Sequence, residues 1–161
     1  MELFEAHFHR VYRYLNRVSG DAELAADVAQ EAFVKLYRRG SLPDAPEAWL
    51  ISVALNLFRN AASTRSRRLR LLTPTRGESV LADPSPSPDR AVEAEESRRR
   101  VRDALDRMPE RERCLLLLRA EEYSYRDIAA ALHLNEASVG VLLARARRAF
   151  RQIYEESFGA P

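Results

Sequence analysis

Residues 123–154 read YSYRDIAAALHLNEASVGVLLARARRAFRQIY, and two helices with the turn between them are written there in order. Ser124 offers an N-cap, and Asp127 three residues on completes a capping-box pattern. Tyr125, Ile128, Ala129 and Leu132 then fall on one helical face. His133 and Leu134 make the turn, and Asn135 offers a second N-cap. Val139, Leu142 or Leu143, Ala146 and Phe150 form the inward stripe of a longer helix, while Arg145, Arg147, Arg148 and Arg151 follow its outer surface and C-terminal half. This is a helix-turn-helix pattern, whose second helix suits a DNA major groove. Two amphipathic helices with a short turn also occur as plain packing. The paired caps, the short connection and the clustered arginines favour the DNA-binding reading.

Outward from that stretch, the pattern stays helical. Phe4, Phe8, Val11, Tyr12 and Leu15 recur every three to four residues up to Ser19-Gly20. Asp21 opens a second helix, with Leu24, Val28, Ala32 and Leu36 on one side and Ala25, Ala29 and Phe33 beside them, and Gly40 stops it. A loop with two prolines leads to a third helix from Glu47, apolar almost all round between Ala48 and Phe58. Such a helix is sandwiched by neighbours or by a partner. Thr73–Asp89 (TPTRGESVLADPSPSPD) has no helical period and reads as an extended, flexible Pro/Ser-rich linker. Helical patterning resumes at Ala91 and stops before Pro109, which suits the first turn of the next helix, ERERCLLLLRAEE. No β-rich segment or repeat interrupts this. The fold class is all-α: two small helical domains, 1–72 and 93–161, joined by a loose acidic linker at 73–92.

Composition narrows the function. The net charge of +2 hides an arrangement in which two basic ends flank an acidic middle at 71–97. Nearly all positive charge is arginine, which suits bidentate phosphate and base-edge contacts, although a GC-rich genome gives the same bias. No run of eighteen apolar residues is present, so no transmembrane helix is expected, and MELFEAHFHR lacks the form of a secretory signal. Cys114 is the only cysteine and is expected to be a buried, inert thiol. These features fit the cytoplasm. His7 and His9 have no partners at ligand spacing and no Gly-rich phosphate loop occurs, so neither metal, cofactor nor catalytic activity is expected. His133 is expected to be structural or solvated.

Three stretches together resemble a known family. AADVAQEAFVKLYRR and PEAWLISVALNLFRN are similar to the D-x-x-Q-E-x-F and A-W-L-x-x-x-A-x-N-x stretches of the σ2 domain of extracytoplasmic-function sigma factors, the minimal two-domain sigma-70 relatives of bacterial RNA polymerase. ALDRMPERERCLLLLRAEEYSYRDIAAALHLNEASVGVLLARARR resembles their σ4 domain. The likeness covers nearly the whole chain, in order, across the proline-rich linker.

The resemblance implies roles. Asp27, Gln30, Glu31 and Lys35 would grip the β′ clamp helices of core polymerase, with σ4 meeting the β flap. The plainer reading of these residues is an intrahelical Glu31–Lys35 pair. The third σ2 helix and the loop Arg39–Pro46 would face the −10 element, through Arg39, Asn56, Arg59, Asn60, Arg65, Arg67 and Arg68, with a flipped base held at the loop. Trp49 is either a stacking platform or, as we favour, core. At the −35 element, Glu136 and Ser138 would approach base edges while Arg126, Arg145, Arg147 and Arg148 hold phosphates. The linker would thread the polymerase, with Glu78, Asp83 and Asp89 imitating nucleic acid in a positively charged channel. An anti-sigma factor would mask both domains.

Two departures stand out. Ser52 and Leu55 occupy positions where the family often has arginine. Gly140-Val141-Leu142 stands where it typically has a basic and a polar residue, so a small Gly140 would allow backbone or shape readout. Two other readings of the same residues are a polymerase-independent operator-binding regulator and an interaction protein whose Val141-Leu142-Leu143 run binds polypeptide.

Overall fold

Two residues set the first turn of the chain. Gly20 sits in the left-handed region (φ 68°) and ends α1 (Glu2–Ser19). The Asp21 carboxylate then accepts the Leu24 amide at 3.1 Å and starts α2 (Ala22–Arg39). A cap of this kind is worth about 0.5–2 kcal/mol. Gly40, also left-handed (φ 75°), closes α2 as the sequence predicts. The computed structural model describes residues 2–69 and 88–159. Among them the further elements are α3 (Pro46–Leu69), α4 (Pro88–Asp106), α5 (Glu110–Ala120), α6 (Tyr125–Leu132) and α7 (Glu136–Phe158), all helical. None is long and apolar enough by itself to cross a membrane.

The N-terminal module packs α1 on α2 and α2 on α3. Its core is the expected stripe of α2 (Ala25, Val28, Ala29, Ala32, Phe33, Leu36) against Val11 and Leu15 of α1 and Leu50, Ile51, Ala54 and Leu55 of α3. Phe4 stacks on Phe8 with ring centroids 4.7 Å apart, and meets the Phe33 edge at 5.1 Å, so the start of α1 is pinned although Phe4 is partly exposed. In the C-terminal module α5 and α6 pack on α7, and α4 lies along α7. Ile128, Ala129, Val139, Leu143 and Ala146 are buried there, as the periodicity requires.

One boundary differs from the expectation. Helix α4 already begins at Pro88, so 88–92 belongs to the helix; Pro88 fits a first helical turn and Asp89 favours the positive helix end. Residues 70–87, which hold Glu78, Asp83 and the rest of the expected linker, lie outside the described residues. The modules are also not held apart. Helix α1 packs on α5 and α3 on α6, and the buried side chains of both halves form one continuous core. Tyr14, fully buried and absent from the expected stripe, faces Cys114 of α5 and explains this: α1 has a second apolar edge, used by the other module.

Candidate nucleic-acid and protein interfaces

Helix α2 buries one face so completely that its opposite face is fixed in place. Asp27, Gln30, Glu31 and Lys35 are all exposed on it. Among the described residues no ion pair uses Asp27, Glu31 or Lys35, so the intrahelical Glu31–Lys35 pair is not formed. Glu23, Leu24 and Asp27 form one wall of an open groove of about 580 Å³, and Leu57, Asn60, Ala61 and Thr64 of α3 form the other. The groove therefore joins a residue expected to bind polymerase, Asp27, to one expected to bind DNA, Asn60.

On α3, Asn56, Arg59 and Asn60 lie at helical spacing on one exposed side. Arg59 is engaged: its Nε donates to Glu110 Oε1 of α5 at 2.6 Å. That hydrogen bond holds the guanidinium in its charged form more firmly still. Arg65 is on the same helix as Arg67 and Arg68, and the placement of their side chains is outside the described residues. Leu55 is buried, so its lack of charge follows from packing. Trp49 is half-buried, between core and platform, with the Arg39 guanidinium 5.8 Å from its ring centre. That spacing is within cation–π range. Around the loop, Pro43 is buried as an anchor while Leu42 and Tyr37 are 65% and 89% exposed. Sequence reasoning passed over Tyr37 and Leu42. The signal available was Tyr37 falling one position past Leu36, the last residue of the buried stripe.

The helix-turn-helix forms as read. Ser124 Oγ accepts the Asp127 amide and Asn135 Oδ1 accepts the Ala137 amide, each at 3.1 Å. His133 caps α6 from the left-handed region (φ 57°), its amide donating to the Ala129 carbonyl, and α6 meets α7 at 90°. This lies within the usual range for DNA-binding helix pairs. Arg126, Glu136, Ser138, Val141, Arg145, Arg147 and Arg148 are exposed. Gly140 is only half-exposed, and a β-carbon there would meet Tyr125 Cε2 at 3.6 Å. It therefore faces α6, and the outward row is Ser138, Val141, Arg145 and Arg148. An exposed valine in such a row suits a thymine methyl better than a phosphate.

Charged groups span the seam between the modules, and the sequence pattern had not singled them out. Glu121, just past α5, has a buried carboxylate that meets Arg17 Nη1 at 2.9 Å and Arg13 Nε at 3.1 Å. Its carbonyl accepts from Arg10 Nε at 2.8 Å, and the Arg10 guanidinium lies 3.8 Å from the Tyr123 ring centre. Arg102 of α4 donates to the α1 carbonyls of Asn16, Arg17 and Val18, occupying the negative end of that helix. The Tyr14 hydroxyl finds no full hydrogen bond, only the Cys114 thiol beside it, and burial pushes both groups' pKa values up. A Cys114 held neutral is an inert thiol. His7 Nδ1 lies 3.4 Å from Glu47 Oε1, and among the described residues no cluster of metal ligands occurs.

Comparison with known proteins follows the same division. Residues 3–68 match the family described as Sigma-70 region 2, and residues 98–150 match Sigma-70, region 4. The chain is 34% identical over 154 residues to the RNA polymerase sigma-H factor of Pseudomonas aeruginosa, covering 88% of this chain and 78% of that protein. It is 30% identical over 153 residues to the ECF RNA polymerase sigma factor SigE of Mycolicibacterium smegmatis, covering 93% of this chain and 59% of that longer protein. The solved structure of the sigma factor RpoE in complex with the anti-sigma factor NepR from Bartonella quintana has the same fold, with TM-score 0.69 at 19% identity over 96% of this chain and 95% of that chain.

Proposed function

This chain belongs to the sigma-70 family of RNA polymerase sigma factors, with extracytoplasmic-function members among its relatives, and we propose that its surfaces divide the work of promoter-directed initiation as follows. The outer face of α2, with Asp27, Gln30, Glu31 and Lys35, docks on the β′ clamp helices of core polymerase. Asn56, Arg59 and Asn60 of α3, the arginines 65, 67 and 68, and the loop from Arg39 hold the −10 element, with Trp49, Tyr37 and Leu42 offering apolar surface to an unstacked base. Helix α7 enters the major groove at −35, with Glu136, Ser138 and Val141 at base edges and Arg126, Arg145, Arg147 and Arg148 on phosphates. The residues 1–72 form the σ2 part and 93–161 the σ4 part, which also meets the β flap. The protein acts in the cytoplasm as a non-catalytic specificity subunit, and an anti-sigma factor holds it in check.

What carries this reading is the α2 face: polar residues at i, i+4 and i+8, exposed and in no ion pair among the described residues, with Asp27 at the groove shared with α3. A solvated structural face gains from pairing its charges, whereas a docking face keeps them for a partner. The test is affinity for purified core polymerase, comparing wild type with Asp27→Arg/Glu31→Arg. Like-charge contacts across an interface cost several kcal/mol. The double variant is expected to bind at least about a hundredfold more weakly with unchanged circular dichroism. Equal binding would remove α2 as the docking face, and no binding by wild type would favour a polymerase-independent DNA regulator.

A further inference from the structure

We propose that Val141 makes α7 a reader of the 5-methyl group of pyrimidines, so that methylation of a cytosine within the −35 element raises the affinity of this chain for that DNA. The inference deepens the assignment of α7 to the −35 major groove and rests on it. Val139, Leu143 and Ala146 are buried, which fixes how α7 is turned about its axis. Val141, lying between the first two, is thereby held outward and is 57% exposed. Among the described residues of α7 no other large apolar side chain is as exposed: Leu142 packs against the core and Leu143 is buried within it. The Val141-Leu142-Leu143 run is therefore no continuous apolar surface, and one valine offers a polypeptide far too little area. Helix propensity does not account for the valine either. A β-branched residue is a poorer helix former than the alanine found at 137 and 144, one turn to either side.

Chemistry then selects the ligand. A valine side chain neither donates nor accepts a hydrogen bond, so it gains nothing from a phosphate or from the polar edge of a base. The major groove of unmodified DNA displays one apolar group, the methyl on C5 of thymine. 5-Methylcytosine carries the same methyl on the same carbon, whereas deoxyuridine lacks it. The surroundings of Val141 suit such a contact. Ser138 and Arg145 are exposed in the same row, about 4.5 Å and about 6 Å away along the helix axis. Those spacings correspond to between one and two base steps of about 3.4 Å, so a hydroxyl and a guanidinium flank the apolar contact. Ala137 and Ala144 project no further than their β-carbons, which lets a side chain as short as valine reach a base.

The experiment selects duplexes from a random pool with the full chain, alone and with core RNA polymerase, and measures fluorescence anisotropy on the enriched duplex. Each thymine is replaced in turn by deoxyuridine. One replacement is expected to weaken binding about fourfold, the equivalent of one buried methyl group, and the others by less than about twofold. At that position a C·G pair should bind more weakly than T·A, and 5-methylcytosine should regain about fourfold over cytosine. Val141→Ala should bind the thymine and deoxyuridine duplexes alike, with unchanged circular dichroism. The thymine-to-uridine ratio is the readout, because a general loss of affinity leaves it intact. Deoxyuridine tolerated at every position, or a ratio that survives in Val141→Ala, overturns the proposal and leaves α7 as a −35 reader by other contacts. No enriched sequence in either setting rejects the −35 assignment itself, and this proposal with it, in favour of the polypeptide-binding reading.

Discussion

Helices α2 and α3 lie side by side in one module, yet their outward residues are treated in opposite ways. On α2, Asp27, Glu31 and Lys35 are exposed and take part in no ion pair among the described residues. On α3, Arg59 is held by Glu110 at 2.6 Å, and the helix lies against α6 of the other module. A pair as exposed as Arg59–Glu110 is worth at most about 1 kcal/mol, so no single contact locks α3 away. The apolar seam around Tyr14 and Cys114 supplies the rest. On the proposed division of roles, the face assigned to polymerase stands clear of the C-terminal module, while the face assigned to DNA is partly engaged by it.

The strongest way to break this contrast is to ask whether α3 depends on the C-terminal module for stability. Trp49, the only tryptophan, reports from α3. Leu143 is fully buried in α7, far along the chain. Leu143→Ala is expected to cost about 2–5 kcal/mol. If the modules share one core, the urea midpoint seen by Trp49 fluorescence falls with it at low salt. A Trp49 transition that stays put would mean α3 is folded independently, and the coupling drawn above would be wrong.

Alkaline pH probes the seam itself. Tyr14 and Cys114 are buried in their neutral forms, so their folded pKa values lie above the ordinary values of 10.0 and 9.0. The unfolded chain then releases protons that the folded chain retains. Their contribution is therefore complete below the ordinary values and is lost as pH rises above them, by up to about 1.4 kcal/mol per pH unit for each group. Tyr123, also raised by burial, adds to the slope. Tyr14→Phe should leave stability at pH 7 nearly unchanged, since the hydroxyl lacks a full partner, and should flatten the decline above pH 10. Urea midpoints at pH 7, 9 and 10.5 measure this, and equal slopes in the two proteins would contradict it.

Most of the helices were legible because local chemistry announces them. Asp21, Gly40, Ser124 and Asn135 cap or stop helices where the pattern says, and the α2 stripe is buried except for Leu24, which is half-buried at the groove. Exposure of Asp27, Gln30, Glu31 and Lys35 follows from that same stripe. The seam was not legible. Tyr14 is one residue off the Val11–Leu15 stripe, and Glu121 looks like any acid at the end of a helix. Only tertiary packing turns Glu121 into a buried charge ringed by arginines, because its partners are more than a hundred residues away. The helix start at Pro88 was hidden by proline-rich sequence whose last proline suits a first turn rather than a coil.

Arg145 sharpens the contrast with Arg59 from the other side. It is exposed on α7 and makes no ion pair among the described residues, so on the proposed division of roles it is already positioned to meet phosphate. Arg145→Ala should weaken −35 duplex binding by a similar factor for every promoter sequence. The slope of log affinity against log salt should drop by about 0.9. A loss confined to one −35 sequence would move Arg145 from phosphate to base reading.

Gly140 gives the smallest effect and the finest distinction. Glycine in a helix interior costs about 1 kcal/mol relative to alanine, and at this position nothing in the packing requires it. A β-carbon would touch Tyr125 Cε2 at 3.6 Å, an ordinary contact, on the side facing α6 and away from the outward row of Ser138, Val141, Arg145 and Arg148. Gly140→Ala is therefore expected to raise stability by about 0.5–1 kcal/mol and to leave −35 duplex affinity unchanged. Thermal unfolding and fluorescence anisotropy separate the two quantities. If stability rises while affinity falls, the bare backbone at 140 lies against DNA, and α7 docks about its Gly140 side. If both hold as expected, Val141 is the centre of the reading face, and the missing polar residue beside it reflects an apolar base contact.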